Sequence, residues 1–196
     1  MYLVAKRALD ILGATVGVLL SIPIFIFVPI FIKIDSKGPI FFTQRRCGKD
    51  GREFKMLKFR TMVNNAEHIK KKLYLNPGLP FKMREDPRIT RIGKFLRKTS
   101  IDEIPQFFNV LKGEMSLVGP RPLAKEEIES DPYWKKERLK VKPGITGLWQ
   151  IYARGSTDIE DWVKYDLLYV KNQSLWLDIK ILLKTPFTII TGKGAY

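Results

Sequence analysis

Ile11-Leu-Gly-Ala-Thr-Val-Gly-Val-Leu-Leu-Ser-Ile-Pro-Ile-Phe-Ile-Phe-Val-Pro-Ile-Phe-Ile32 runs for roughly 22 residues without a charge, which is long enough to span a bilayer. It is too long for a secretory signal, and no small-residue cleavage site ends it. Pro23 lies close to its middle and Pro29 follows. A proline inside a helix removes a backbone hydrogen bond and bends the helix. Lys6 and Arg7 precede the stretch, while Lys33, Lys37, Arg45, Arg46 and Lys49 follow it. The positive-inside bias therefore draws both ends to the cytoplasmic side. A straight span satisfies one end; a segment that enters, breaks at Pro23 and returns satisfies both. A kinked single-pass helix is the alternative, and both stay open.

With 196 residues, the chain holds one globular domain, or one domain with an appendage. The division expected is a membrane segment over 1–35 and a cytoplasmic, membrane-associated domain over 36–196. Lysine and arginine outnumber acidic residues by 35 to 20, a formal charge of +15. That excess suits nucleic acid, anionic lipid or a phosphorylated substrate. Cys47 is the only cysteine, so no intrachain disulfide forms. His68 is the only histidine, which removes a His/Cys zinc site and argues against a Ser-His-Asp triad.

Beyond the turn Asp35-Ser-Lys-Gly-Pro39, the runs Ile40–Arg45 and Glu53–Arg60 read as a hairpin across Gly48–Gly51. On the second run Lys58 and Arg60 share a face, either as a solvated edge or as part of an anion site. A basic helix is expected over Asn64–Leu75, and a short one over Ile89–Lys98.

The chemistry concentrates in Arg97-Lys-Thr-Ser-Ile-Asp-Glu-Ile-Pro-Gln-Phe-Phe-Asn-Val-Leu111. Ser100 and Glu103 have capping-box spacing, and Pro105 is tolerated only in a first turn. A helix is therefore expected to start near Ile101 or Asp102. Asp102 and Glu103 would then lie at its positive end, which favours ionised carboxylates. An Asp-Glu pair there is most often only a cap. The basic residues leading into it, among them Arg88, Arg91, Lys94 and Arg97, also suit a polyanion held beside a carboxylate.

Gly119-Pro-Arg-Pro122 cannot be regular structure, so Arg121 is mounted on a stiff turn, suited to a phosphate contact or simply exposed. Ala124–Ser130 and Tyr133–Lys140 read as surface helices whose charges form a solvated face. Lys142-Pro-Gly-Ile-Thr-Gly-Leu-Trp-Gln150 reads as a glycine-punctuated loop leading into a short strand or turn, and Asp158–Asn172 as a helix. Ser174–Ile190 is an amphipathic helix, either interfacial or packed in the core.

These motifs resemble those of the small monotopic phosphoglycosyl transferases, also called bacterial sugar transferases. The resemblance is carried by Lys6-Arg-x-x-Asp10, the proline-broken apolar segment, Phe41-Phe-Thr-Gln-Arg45 and Lys58-Phe-Arg-Thr-Met62. Thr99-Ser-Ile-Asp-Glu-Ile-Pro-Gln106, Met115-Ser-Leu-Val-Gly-Pro-Arg-Pro122 and Lys142-Pro-Gly-Ile-Thr-Gly147 complete it. One departure is visible: the family commonly carries Ser-Pro at the membrane break, and here Ile22 precedes Pro23, with Ser21 before it. Larger relatives carry further N-terminal membrane helices and a soluble domain that are not seen in this sequence.

The resemblance implies an α+β, mainly helical fold with a re-entrant membrane helix, a small β-hairpin and interfacial amphipathic helices. It implies transfer of a sugar 1-phosphate from a UDP-sugar to undecaprenyl phosphate, with release of UMP, at the cytoplasmic face of a bacterial inner membrane. Asp102 would be the nucleophile and Glu103 the base for the acceptor. Mg²⁺ would lie between Asp102 and the diphosphate, and Lys58, Arg97, Arg121 and Arg154 near the phosphates. Pro23 would make the membrane break. The partners implied are the two substrates and the lipid bilayer, without nucleic acid; a homodimer is left open. The rival reading is a membrane-anchored basic protein that binds acidic lipid or nucleic acid without catalysis.

Overall fold

The computed structural model describes residues 1–66, 68–69, 86–129, 133–153, 156 and 158–191. Helix α1 spans Tyr2–Leu20 and α2 spans Ile22–Asp35, bent from one another by 57°. No single helix among the described residues is long and apolar enough to cross a membrane; this bent pair is so only when the two are taken together, by length and composition. The break differs from the sequence expectation. It falls at Ser21, and Pro23 sits in the first turn of α2. A proline at 23 would press its ring on the carbonyl four residues back in an unbroken helix, so the chain turns before it. At that place the missing N–H costs nothing, because the first-turn amides lack intrahelical partners anyway.

One face of α1 is buried and polar where an apolar stripe would be usual. Lys6, Asp10 and Ala14, each four residues apart, face inward. Lys6 Nζ reaches Asp178 Oδ2 at 2.8 Å, the Tyr169 hydroxyl at 3.0 Å and the Val118 carbonyl at 3.1 Å. Asp10 Oδ1 accepts from Ser116 Oγ and the Leu117 amide. Arg7 caps a helix C-terminus by donating to the Val110 and Leu111 carbonyls. The N-terminal helix is thereby bolted to the globular part by satisfied charges. Its remaining faces leave Leu12, Val16, Leu19 and Leu20 exposed, as α2 leaves Ile26, Phe27, Ile30 and Phe31.

The hairpin forms as the alternation predicts. Strand β1 (Phe41–Cys47) pairs antiparallel with β2 (Glu53–Phe59), with Phe42 opposite Lys58. Phe54, Met56 and Phe59 are buried. Helix α3 covers Arg91–Thr99, capped by Thr90 Oγ1 on the Gly93 amide. After the turn at Ile101–Glu103 comes α4 (Gln106–Lys112). Strand β3 (Ser116–Val118) pairs in parallel with β4 (Gly144–Thr146), a second sheet that the short apolar run at 115–118 did not announce. Helices α5 (Lys125–Glu129) and α6 (Tyr133–Arg138) lie between these strands, followed by α7 (Leu148–Tyr152), α8 (Ile159–Lys171) and α9 (Leu175–Ile190). The expected solvated face of α6 is corrected at Arg138, which is 4% exposed. Helix α9 packs one side in the core, with Asp178 and Ile181 buried, and leaves Trp176, Leu183, Phe187 and Ile190 exposed. Most of the helix expected over 64–75 lies outside the described residues. The main core gathers α1, β2, α4, β3, α7, α8 and α9 around Val110, Met115 and Tyr169.

Candidate active site

Asp102 and Glu103 sit on a single 3₁₀ turn, Ile101–Glu103, wedged between α3 and α4. Ser100 ends α3 in a left-handed conformation, φ 58°. The expected capping box does not form: the Glu103 amide bonds the Ser100 carbonyl, and no side-chain cap closes the turn. Pro105 explains the offset, since it confines regular helix to the residues from Gln106 onward. The two carboxylates therefore diverge from a sharp turn, and neither caps a helix with its side chain.

Asp102 is 7% exposed and faces a cavity of about 610 Å³. Among the described residues, none donates a hydrogen bond to its carboxylate. Lys58 on β2 is drawn to its neighbour, with Nζ 2.7 Å from Glu103 Oε1. Arg121 Nη1 lies 3.5 Å from the same oxygen. Arg97 on α3 is steadied by Nε on Thr61 Oγ1 at 2.9 Å. Burial pushes the Asp102 carboxyl up to about 6; Lys58, Arg97 and Arg121 pull against it, and Glu103 adds to the rise. This corrects the expectation that the turn would hold Asp102 in the low range of an ionised cap, because desolvation outweighs the surrounding cations. At pH 7 the group is still mostly anionic.

The Arg121 turn is fixed from behind. A side chain on Gly119 would meet the Lys142 carbonyl oxygen at 2.4 Å and the Gly144 amide nitrogen at 2.8 Å, so glycine is required for the β3–β4 approach. Arg138 Nη2 donates to the Arg121 carbonyl and lies 2.8 Å from Asp166 Oδ2 on α8. This pair is buried on both sides, and burial raises the Asp166 carboxyl to about 6 while lowering the Arg138 guanidinium.

Of the residues singled out in the sequence, Asp102, Glu103, Lys58, Arg97 and Arg121 line one cavity. Arg154 lies outside the described residues. Pro23 is far along the chain at the helix break. Arg60, the neighbour of Lys58 on the strand face, also lines the cavity, with its guanidinium engaged by the turn after α2, donating to the Ser36 and Lys37 carbonyls and Ser36 Oγ. Sequence reading missed Thr61, Arg138, Asp166 and Gln150. The Lys-Pro-Gly-Ile-Thr-Gly pattern was the one available signal for the last of these.

The profile of the bacterial sugar transferase family matches residues 1–192. The chain is 52% identical over 198 residues to the galactosyl transferase CpsE of Streptococcus agalactiae serotype III, covering 99% of this chain and 44% of that protein. It is 44% identical to the UDP-glucose:undecaprenyl-phosphate glucose-1-phosphate transferase of Klebsiella pneumoniae, covering 99% of this chain and 42% of that protein. Against the exopolysaccharide production protein ExoY of Rhizobium meliloti the identity is 39%, covering 98% of this chain and 88% of that protein. The chain thus spans less than half the length of the first two relatives and most of the third. With a family match over nearly every residue and this cluster of carboxylates and cations, the chain belongs to the bacterial sugar transferase family.

Proposed function

We propose that the chain transfers a sugar 1-phosphate from a UDP-sugar to undecaprenyl phosphate, releasing UMP through an aspartyl phosphosugar intermediate. The observation that carries this is Asp102: buried, facing a cavity, without a hydrogen bond among the described residues, and ringed by Lys58, Arg97 and Arg121. A carboxylate with its lone pairs uncommitted and its pKa raised is a better nucleophile than one tied into an ion pair. Relatives named for undecaprenyl-phosphate sugar transfer support the class of reaction, and because they are named for different sugars, the proposal extends to UDP-sugars as a class.

In the first step an Asp102 oxygen attacks the phosphorus nearer the sugar, and the bond from that phosphorus to the UMP oxygen breaks. Lys58, Arg97 and Arg121 stabilise the charge on the phosphoryl oxygens and on departing UMP. In the second, a phosphate oxygen of the lipid attacks the same phosphorus; the lipid diphosphate sugar forms and the Asp102 carboxylate is regenerated. Glu103 takes the proton from the acceptor phosphate when it arrives protonated, and its contacts with Lys58 and Arg121 hold it beside the reacting centre.

No group of three or more His, Cys, Asp or Glu side chains among the described residues is placed to hold a metal. The free oxygens of Asp102, with Glu103 adjacent, do fit a Mg²⁺ that completes its shell from phosphate and water, as that ion commonly does. Its chemistry there would be to neutralise the diphosphate.

The lipid acceptor requires a membrane setting. If the outer ends of α1 and α2 lie at one level, helices of these lengths and a 57° bend reach about 11 Å below it. That depth is within one leaflet of a core ~30 Å thick. The proposed arrangement is therefore a re-entrant segment, with the site at the cytoplasmic interface. UMP release from a panel of UDP-sugars, with and without undecaprenyl phosphate, tests the reaction. Release with lipid at many turnovers, and about one UMP per enzyme without it, is expected. Steady release without lipid would mean hydrolysis, and no release at all would favour the non-catalytic binding protein.

A further inference from the structure

The cavity at Asp102 has two chemically different parts. Its charged lining comes from the hairpin, α3, the 3₁₀ turn and the Arg121 turn, together with α5. The part walled by β4, α7, α8 and α9 presents Ile145, Trp149, Gln150, Trp162, Thr185 and Thr188, with no charged side chain among its described lining residues. In this neutral part Gln150 Nε2, Gln150 Oε1 and Trp162 Nε1 are buried without a hydrogen-bond partner among the described residues. Trp162 stands edge-on to Trp149, with ring centroids 5.1 Å apart, so the indole is held in place by packing. The Gln150 amide folds back over Gly147, where an added Cβ would lie 2.8 Å from Oε1.

Buried polar groups in folded proteins are nearly always paired. Gln150 has neither its donor nor its acceptor satisfied, and Trp162 adds a second unmet donor. A structural glutamine would be expected to find protein partners. An apolar polyprenyl chain laid against these atoms would leave all three unmet. The chemistry they lack is an uncharged group carrying donors and acceptors side by side. On the proposed reaction, on which this inference rests, the donor substrate has such groups at its two ends, the uracil imide and the sugar hydroxyls.

We infer that Gln150 and Trp162 form the subsite for the uncharged, hydrogen-bonding end of the UDP-sugar, while Lys58, Arg97 and Arg121 take the diphosphate. Gln150 sets donor affinity by exchanging a donor and an acceptor with that group, and Trp162 supplies the third hydrogen bond. Removing a partner from a bound polar ligand strands the other group, so loss of the amide weakens binding by more than the bond alone.

The test uses the full chain in lipid nanodiscs, with Gln150→Leu, the near-isosteric Gln150→Glu and Trp162→Phe, which removes the N–H together with part of the ring packed on Trp149. KM for the UDP-sugar should rise tenfold or more in Gln150→Leu and severalfold in Trp162→Phe. The KM for undecaprenyl phosphate should not move, and kcat should fall much less than kcat/KM for the donor. Gln150→Glu keeps the shape but loses the amide donor, so it should show the same split even if the leucine variant folds poorly. Inhibition by UMP identifies the end: weakened in parallel with KM it assigns the uracil, and unchanged, with altered ranking among UDP-sugars, it assigns the sugar. An unchanged donor KM in active variants overturns the inference and leaves the reaction standing. A shift confined to the lipid KM overturns it too. A wild type that releases no UMP from any UDP-sugar overturns the reaction and this subsite together.

Discussion

Asp102 and Asp166 are two buried aspartates whose carboxyls are both pushed up to about 6 by burial, yet they are put to opposite uses. Asp166 has a cation in contact, Arg138 Nη2 at 2.8 Å, and the pair is closed off at 4% and 3% exposure. Asp102 has three cations in its neighbourhood, but the one that acts on it most strongly, Lys58, is bonded to Glu103. A buried carboxylate in an ion pair holds structure, and its partner also fixes the Arg121 turn. One kept off its cations and facing a cavity is held in a state the fold does not prefer. Glu103 is what makes the difference, because it occupies Lys58 and reaches Arg121.

The largest expected contrast is in turnover. Asp102→Asn should lower UMP release by about a thousandfold or more, the loss expected when a covalent nucleophile is removed. Asp166→Asn should retain most of the wild-type kcat. Steady-state assays on both variants decide it; an Asp102→Asn enzyme with more than a small share of wild-type activity, deamidation excluded, would remove Asp102 as nucleophile.

The same two substitutions should move stability in opposite directions. Leaving Arg138 charged, buried and without its carboxylate is expected to cost about 3 kcal/mol in Asp166→Asn. For Asp102 the sign follows from linkage. Its folded pKa is raised, so the folded state binds the proton more tightly than the unfolded chain does. Its stabilising contribution is complete below the unfolded value near 4 and is lost as pH rises through about 6. Above pH 7 the ionised carboxylate is therefore a burden, and Asp102→Asn should be more stable than wild type by on the order of 1–3 kcal/mol. Thermal melts at pH 8 in nanodiscs test this, and a destabilised Asp102→Asn would show that the carboxylate is structural after all.

These opposite roles also mark what could be read in the sequence. The hairpin was legible because Phe54, Met56 and Lys58 alternate in a seven-residue strand, a local signal. The turn at Ile101–Glu103 was located through Asp102, Glu103 and Pro105, but its conformation was misjudged. Ser100 resembles a cap, and only the end of the preceding helix shows that it is left-handed. Arg138 was read as part of a solvated face, and Asp166 was not singled out within its helix. Nothing local distinguishes them, since their pairing joins α6 to α8. Lys6 with Asp178 is the extreme case, a contact across 172 positions of chain. Arg97 and Arg121 were placed through the family resemblance, whereas Gln150 became visible only once its amide was seen buried without a partner.

A smaller effect concerns pH. The profile of kcat/KM for the UDP-sugar reports groups of the free enzyme. It should fall about tenfold per unit below pH 6, as Asp102 protonates. Asp166→Asn should leave that limb in place, since Asp166 is not among the groups that set the Asp102 pKa. A flat profile between pH 5 and 7 would separate the rate from Asp102 ionisation.

The finest test moves that acidic limb from both sides. Lys58 is the strongest of the cations lowering the Asp102 pKa, and Glu103 is the group whose charge raises it. Lys58→Met should therefore shift the limb to higher pH. Glu103→Gln should shift it to lower pH, for two reasons that add: the neighbouring negative charge is gone, and Lys58, no longer held at 2.7 Å by Glu103, is freed to turn toward Asp102. Both variants will also lose activity, Lys58→Met through weaker hold on the diphosphate and Glu103→Gln through the missing base in the lipid half-reaction. The position of the limb is independent of the height of the profile, so the shifts can be read in weakened enzymes. Rapid-quench measurement of the first UMP released, without lipid, confines the reading to the step at Asp102. There Glu103→Gln should keep its burst, and Asp102→Asn should have none. Opposite shifts of the limb would establish that Glu103 holds Asp102 apart from its cations. Shifts of the same sign, or a limb that moves only with Asp166→Asn, would mean that the two buried aspartates are not distinguished in this way.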